Sequence, residues 1–268
     1  MQDQLIKKHF QAMGEDGSYA AYYGKRDFQT HAFFARRDRV QEFLAQRLRP
    51  GQRVLDVGCG PGPMVEFFCS RGLTYCGVDV AQSMLDTIAN QFSNTQYWSN
   101  IELKSGSCDY IPYPDSSFDV FVGMGLLEYL DDMQGTLNEI RRLLKPQGLA
   151  VLTIPNLLGL NRLIMRNTGF ITALYHTCNG RSSPHTKHIV RKELAPSALD
   201  HAMANVGLMA VGRAFYEYKF ICYPINRLFP KFAYLVNRLL ENRAPYFLAN
   251  GYIGFYEKIC SIGLEVDH

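Results

Sequence analysis

The stretch RVLDVGCGPGPMVEFF, from Arg53 to Phe68, decides the fold. It begins as an apolar run that is typical of a buried strand, breaks into three glycines and two prolines, and then becomes apolar again. A glycine break after a strand lets a ligand approach the backbone closely. The kind of ligand can be tested against the patterns that different ligands require.

Two phosphate-binding patterns fail at this break. A dinucleotide site needs G-x-G-x-x-G, but the sixth position counted from Gly58 is Pro63. A P-loop needs a lysine and a hydroxyl after its last glycine, and Met64 and Val65 stand near that place. The prolines also remove backbone N–H groups that would bind phosphate oxygens. The pattern therefore argues against a polyphosphate ligand.

What remains resembles the first motif of the class I S-adenosylmethionine-dependent methyltransferases. The resemblance implies that the turn approaches the amino-acid end of the cofactor. The alternative is an ordinary strand-to-helix turn that needs glycine for a positive φ. The residues that carry the resemblance are Asp56, Gly58, Cys59, Gly60, Pro61 and Gly62.

Asp79 is the second informative position, because it ends the next strand candidate about 20 residues beyond the turn. An acid at this place can accept hydrogen bonds from both ribose hydroxyls of a nucleoside. The alternative is an N-cap of the helix that begins at Gln82. With the glycine turn, the nucleoside interpretation is favoured, and Val80 would then lie against the adenine.

The stretch SGSCDYIPYPDSSFDVFVGM, from Ser105 to Met124, resembles a third segment of the same family. The resemblance implies that Ser107 and Cys108 hold the adenine edge and that Gly123 and Met124 border the sulfonium. Relatives commonly have an aspartate where Ser107 stands. A neutral hydroxyl accepts a weaker hydrogen bond than a carboxylate, so adenine recognition should be weaker here.

Strands alternate with helices along most of the chain, which predicts an α/β fold with a parallel sheet covered on both faces. The resemblance specifies a Rossmann-like, seven-stranded, mostly parallel sheet that ends in an antiparallel pair, with helical insertions near the C-terminus. We expect one domain over residues 1–268. Its parts are a helical cap (1–50), a cofactor-binding core (51–156) and two insertions that form a lid (157–190 and 218–250).

Composition excludes several classes of protein. The 28 Lys and Arg against 25 Asp and Glu give a net charge of +3, which does not indicate a nucleic-acid partner. The seven cysteines form no C-x-x-C pair, which fits reduced thiols in the cytoplasm. The N-terminus has no secretory signal, and no apolar run approaches the roughly 18 residues that span a membrane. We therefore expect a cytoplasmic protein.

Two residues are candidate general bases. His188 resembles a pocket histidine of small-molecule methyltransferases, and its alternative is a surface or N-cap histidine. Glu128 occupies a place where relatives often have a histidine or glutamate, and its alternative is a solvated helix carboxylate. His176, Cys178, His185 and His188 fall in one loop, but their spacing is not a usual zinc pattern, so we predict no metal.

Aromatic and amphipathic segments flank the predicted site. Relatives often close the cofactor site with an aromatic residue, and Tyr22 or Tyr23 in SYAAYYGKRDF is our candidate, with stacking in a helix interface as the alternative. The insertions combine apolar faces with arginines and lysines. Such segments suit a lid over an apolar substrate or contact with a membrane surface, and they equally suit a cap over the core.

The acceptor is expected to be a small molecule. Amino-methylating nucleic-acid enzymes have an Asn-Pro-Pro-aromatic run where this chain has GMGLLEY, and the Pro-Cys pair of cytosine C5 enzymes does not occur. The resemblance implies O-methylation in quinone-like or natural-product biosynthesis. The alternatives are transfer to carbon or nitrogen, or a non-catalytic S-adenosylmethionine-binding or membrane-associated protein. Nothing in the sequence indicates the oligomeric state.

Overall fold

A computed structural model of the protein describes residues 2–24, 30–159, 192–218, 229–240, 245 and 248–259. His188 lies outside these ranges, together with the other members of its loop, His176, Cys178 and His185. Residues 160–190 of the first predicted insertion and parts of the second lie outside them as well. Of the described helices, none has the length and apolarity that crossing a membrane requires.

The described residues form a seven-stranded sheet in the order β3-β2-β1-β4-β5-β7-β6. Strands β1 to β5 pair in parallel, and β7 is antiparallel to both of its neighbours. This arrangement confirms the predicted sheet and its antiparallel end. The strands are β1 (Arg53–Val57), β2 (Thr74–Asp79), β3 (Ile101–Ser105), β4 (Phe118–Met124), β5 (Leu144–Pro155), β6 (Leu208–Tyr216) and β7 (Gly251–Lys258).

Helices cover both faces of this sheet. They are α1 (Gln2–Glu15), α2 (Ser18–Ala21), α3 (His31–Ala45), α4 (Val65–Cys69), α5 (Gln82–Phe92), α6 (Met133–Leu143), α7 (Pro196–Asn205) and α8 (Pro230–Leu240). Neighbouring residues of a strand point to opposite faces, so Val54 packs in one core with α3, α4 and α5 while Leu55 packs in the other with α6 and α7.

One predicted boundary is wrong. The spacing of TLNEIRRLLKPQG predicts a helix over residues 136–148, but α6 ends at Leu143 and β5 begins at Leu144, which pairs with Phe118. Pro146 cannot continue a helix, because it lacks an N–H donor and its ring clashes with the preceding turn. The pairing then shifts, with Gln147 at φ 63°, before the regular part of β5 begins.

The sheet order fixes where a ligand can bind. From β1 the chain crosses to β2 on one side, and β4 lies on the other side of β1. This reversal leaves a crevice at the carboxyl ends of β1 and β4. The glycine turn begins where β1 ends, so it lies at the mouth of that crevice.

Candidate functional site

A cavity of about 420 Å³ opens at the carboxyl ends of the parallel strands. This volume lies within the range of small-molecule sites. Several residues that were predicted to bind the cofactor line it, drawn from the turns after β1, β2, β3 and β4. They are Gly58, Gly60, Asp79, Val80, Ser107, Cys108 and Met124.

The glycine turn is tied to the end of β2. The N–H groups of Gly58 and Cys59 donate to the carbonyl of Val78 at 2.8 and 3.2 Å. Gly60 has φ 53°, and a Cβ at this position would lie 3.2 Å from Cε1 of Tyr19. Because a side chain would be strained by this backbone and crowded by Tyr19, glycine keeps the backbone open to the cavity at this point.

Asp79 connects the turn to the cavity wall. Its Oδ2 accepts from the N–H of Gly60 at 2.9 Å, and its Oδ1 accepts from the N–H of Ala81 at 2.9 Å. Burial raises the pKa of this carboxyl, while the backbone donors oppose that rise. Each carboxylate oxygen retains a further acceptor position. Ala81, not Asp79, is the N-cap residue of α5, so the N-cap alternative does not describe this site.

Asp56 does not line the cavity. It is 1% exposed and accepts a hydrogen bond from the hydroxyl of Tyr75 at 2.9 Å. Burial raises its pKa from 3.8 to about 7, although the bond from Tyr75 opposes this shift. Asp56 therefore supports the glycine turn from the core and does not contact the cavity directly.

Three further predicted cofactor residues also lie behind the cavity wall. Cys59 is buried in the core. A Cβ on Gly62 would lie 2.7 Å from Cγ1 of Ile88, so this glycine allows α5 to pack closely against the turn. A Cβ on Gly123 would lie 3.0 Å from Cδ2 of Leu152, which is a contact between β4 and β5. These residues shape the site through packing.

The turn after β3 supplies the carboxylate that Ser107 lacks. Asp109 lines the cavity, and the Ser107 hydroxyl donates to its Oδ2 at 3.0 Å. Cys108 is buried beside them, where the Thr136 hydroxyl lies 3.7 Å from its Sγ. Asp109 was not among the predicted site residues, although an acid two residues after the expected position was the available signal.

The turn after β4 brings a buried cation close to the cavity. Gly125 lines the cavity, and its N–H donates to the Thr153 hydroxyl at 2.8 Å. A Cβ on Gly125 would lie 2.6 Å from Nη1 of Arg36. Arg36 is 9% exposed, and within the described part of the chain its Nε has no hydrogen-bond partner. Arg36 was not among the predicted site residues, since no motif marks an arginine in a helix.

The side chains around Arg36 favour its charged form. Burial alone would lower the pKa of its guanidinium, but Tyr23, Tyr216 and Tyr19, with Glu128, raise it above its usual value. Arg36 also makes a side-chain hydrogen bond with Tyr216. A guanidinium that keeps its charge in such a place can pair with an anionic group that enters beside Gly125.

Glu128 lies next to the cavity and does not line it. It belongs to the 3₁₀ turn Leu127–Tyr129, between the lining residues Leu126 and Tyr129. Its side chain is 8% exposed, so the alternative of a solvated helix carboxylate is wrong. Its carbonyl accepts from the N–H of Lys192 at 2.7 Å. A role as a base stays a prediction.

Among the three tyrosines of the SYAAYYGKRDF segment, Tyr19 is the one at the cavity. It lines the cavity and packs edge-on against Phe10 of α1, with ring centroids 5.7 Å apart. Tyr22 and Tyr23, the predicted residues, do not line it. Tyr22 stacks on Phe33 at 5.0 Å, and Tyr23 packs edge-on against the same ring at 5.6 Å. The alternative of stacking in a helix interface therefore describes both residues.

The cavity is acidic. Four aspartates, at positions 79, 109, 131 and 132, are among its lining residues, and the described part of the lining includes no lysine, arginine or histidine. Such a lining repels a polyphosphate and favours a ligand with positive charge. S-adenosylmethionine carries a sulfonium and an ammonium group, so the charge and the volume of the cavity fit this cofactor.

The turn, the acid after β2 and the cavity at the switch point have the arrangement of the class I, Rossmann-like fold, and the predicted resemblance to the S-adenosylmethionine-dependent methyltransferases is confirmed. Residues 55–152 match the sequence family described as methyltransferase domain. S-adenosylmethionine is the cofactor of this class.

Curated relatives are similar to part of the chain. The chain is 32% identical over 112 residues to demethylmenaquinone methyltransferase of Symbiobacterium thermophilum, covering 40% of this chain and 45% of that protein. It is 33% identical over 98 residues to ubiquinone biosynthesis O-methyltransferase of Coxiella burnetii, covering 37% and 41%. It is 29% identical over 107 residues to sterol 4-C-methyltransferase of Caenorhabditis elegans, covering 39% and 32%. The matches span less than half the length of these relatives.

Solved structures share the fold over most of the chain. Magnesium protoporphyrin IX methyltransferase from Synechocystis PCC 6803, with bound SAH, has a TM-score of 0.68 at 12% identity, covering 96% of this chain and 99% of that one. The YcgJ protein from Bacillus subtilis has a TM-score of 0.54 at 18% identity, covering 82% and 98%. At these identities the likeness establishes the fold alone.

Proposed function

We propose that the protein transfers a methyl group from S-adenosylmethionine to an oxygen of a small, apolar, quinone-like acceptor. The observation that carries this proposal is the acidic cavity at the switch point, where Asp79 and the glycine turn meet. The cofactor supplies an electrophilic methyl on a positively charged sulfur. The protein has to bind it, exclude water and orient the acceptor, and orientation alone can supply roughly 7 to 11 kcal/mol.

Each part of the cofactor has a candidate partner. Asp79 accepts from the ribose hydroxyls, and Asp109 accepts from the adenine amino group in the role that Ser107 cannot fill with a charge. The glycine turn leaves room for the amino-acid portion, whose carboxylate can pair with Arg36. Met124 and Gly125 lie toward the sulfonium end. This assignment is supported by the chemistry of these residues, by the cavity wall that they share and by the position of Arg36 beside Gly125 of that wall.

An apolar acceptor is supported by two observations. The cavity wall after β4 begins with the uncharged side chains of Leu126, Tyr129 and Leu130, and Asp131 and Asp132 follow them. The similar curated proteins are named for demethylmenaquinone, ubiquinone and sterol methylation, and these are all classes of apolar molecule. Their names include both O- and C-methyltransferases, so transfer to carbon is the second candidate reaction, followed by transfer to nitrogen.

Glu128 and His188 are the candidate bases of the proposed reaction. Glu128 is buried next to Leu126 and Tyr129, where a carboxylate could take a proton from an acceptor hydroxyl. A positioned general base typically contributes 10² to 10⁴-fold to the rate. An acceptor that is already acidic needs less help, so the effect of removing either base should shrink as the acceptor pKa falls.

A turnover assay tests the reaction. The purified protein would be incubated with methyl-labelled S-adenosylmethionine and matched acceptors that present a hydroquinone oxygen, an aniline nitrogen or an unsubstituted ring carbon. We expect S-adenosylhomocysteine release that depends on the hydroquinone, with the label in a methyl ether. Glu128→Gln should slow this reaction at least tenfold if Glu128 is the base, whereas Glu66→Gln, an exposed residue of α4, should not.

The other outcomes are equally informative. Label on a ring carbon or on nitrogen would replace O-methylation by one of the alternative reactions. Tight binding of S-adenosylhomocysteine with no product from any acceptor would favour a non-catalytic, cofactor-binding protein.

A further inference from the structure

Helix α8 presents an apolar face to solvent. The face consists of Phe229, just before the helix, and Phe232, Leu235 and Leu239 within it, which are 61, 56, 53 and 60% exposed. Spacings of three and four residues place these side chains along one side of a helix. Isolated exposed apolar residues are ordinary on a protein surface, but four large ones in a single stripe mark an interaction surface.

The helix is attached to the protein through other residues. Ala233 is fully buried, and the ring of Tyr234 packs edge-on against His31 at 5.4 Å. His31 begins α3, the helix that carries Arg36 to the cavity wall. The apolar face is therefore not the side that holds α8 in place, and α8 lies on an element that leads to the site.

The charges on α8 point to one kind of partner. Lys231 and Arg238 are exposed, and a helical projection places both at the border of the apolar face. No acidic residue occurs between Pro230 and Leu240. A helix with an apolar face, bordering cations and no acid matches the pattern of helices that lie in the interface of an anionic bilayer.

We propose that α8 docks the protein on an anionic lipid bilayer, with the apolar face in the boundary between headgroups and acyl chains. Lys231 and Arg238 then contact the lipid phosphates. A second copy of the chain fits less well, because a two-fold interface through this face would bring the same cations of both copies together. The inference stands independently of the proposed reaction, since it uses no residue of the cavity.

Fluorescence gives a direct test, because Trp98 is the only tryptophan of the chain. The reporter variant is Trp98→Phe with Phe232→Trp. The matched control is Trp98→Phe with Met209→Trp, since Met209 is 46% exposed on the edge strand β6. Both would be titrated with phosphatidylcholine vesicles with and without 30% phosphatidylglycerol, some with brominated acyl chains.

We expect a blue shift and quenching by bromine for the Phe232→Trp reporter with anionic vesicles, and neither for the Met209 control. Adding Lys231→Glu and Arg238→Glu to the reporter should weaken partitioning at least tenfold, because each basic residue contributes attraction near an anionic surface. S-adenosylhomocysteine binding, measured in parallel, should be the same in every variant and shows that each is folded.

Three results would overturn the proposal. The first is no spectral change of the reporter with anionic vesicles in a folded protein. The second is equal partitioning into neutral and anionic vesicles. The third is a lipid-free dimer in sedimentation that Phe232→Ser dissociates, which would make a second copy the partner.

Discussion

Asp56 illustrates how a motif residue can serve a site without entering it. The motif predicts an acid near the cofactor, but the side chain turns into the core and accepts the hydroxyl of Tyr75. This buried position disfavours the charged carboxylate, so burial raises the pKa of Asp56 to about 7. The consequence can be measured in stability, separately from cofactor binding.

Asp56→Asn should flatten the pH dependence of stability. The folded-state pKa of Asp56 lies above its unfolded value, so the folded protein binds the proton more tightly and loses stability as the pH rises through about 7. Between pH 5 and pH 8 the free energy of unfolding therefore falls by about 3 kcal/mol, at about 1.4 kcal/mol per pKa unit. The asparagine oxygen can still accept from Tyr75.

Urea unfolding of wild type and Asp56→Asn at both pH values measures the difference. From pH 5 to pH 8, the free energy of unfolding of wild type should fall by up to about 3 kcal/mol more than that of the variant. Parallel losses in the two proteins would show that Asp56 titrates near its ordinary pKa.

Residues could be predicted from sequence where a motif fixes their place. Asp79 follows a strand and a glycine turn, so its position at the cavity was foreseeable. Arg36 and Tyr19 were not, because the path of a helix brings each of them to or beside the cavity and no motif marks either one. Asp109 stands two residues after the position at which the motif has its acid. A motif also does not show whether a side chain points toward the ligand or into the core of the protein, as Asp56 illustrates.

At the scale of elements, α1 forms part of the cavity wall. It contributes Ile6 and Phe10 to the lining and is fastened to α5 by Ser83, whose hydroxyl donates to the carbonyl of Gln11 at 2.8 Å. A Cβ on Gly14 would overlap Oγ of Ser83. The absence of a side chain at Gly14 therefore lets the two helices approach closely.

Gly14→Ala should weaken cofactor binding although it favours the helix. Alanine improves intrinsic helix stability by up to about 1 kcal/mol over glycine. Here its methyl would push α1 away from α5 and open the cavity, so we expect S-adenosylhomocysteine affinity to fall about tenfold, or about 1.4 kcal/mol. Calorimetry measures the affinity, and hydrogen exchange should show faster exchange in α1.

Lys8→Ala is the matched control, because Lys8 is exposed on the same helix. It should leave both the affinity and the exchange of α1 unchanged. An affinity in Gly14→Ala equal to that of wild type would mean that α1 does not form a functional wall.

The elements themselves were largely predictable. Alternating β-rich and helical stretches predicted the α/β fold with its parallel sheet, and the helix that was expected to begin at Gln82 begins there. The start of β5 was missed, since LLKPQG continues a helical pattern up to Pro146. The role of α1 was missed because periodicity shows that a helix has an apolar side and does not show what that side covers.

At the scale of the whole molecule, net charge and local charge differ in sign. The chain carries +3 overall, yet four aspartates line the cavity. The net value gave no indication of a nucleic-acid partner, and it could not indicate an acidic cavity. Only the sheet order brings these acids together, since they come from three turns that are distant in sequence.

Binding of S-adenosylhomocysteine, measured by calorimetric titration, tests the central claim most directly. We expect micromolar or tighter affinity for wild type and no binding of NADH. Asp79→Ala should bind 1 to 3 kcal/mol more weakly, as expected when charged hydrogen bonds are lost. Asp86→Ala, an exposed position on α5, should bind like wild type. No binding by wild type, or equal affinity in a folded Asp79→Ala variant, would contradict the assignment of this cavity to the cofactor.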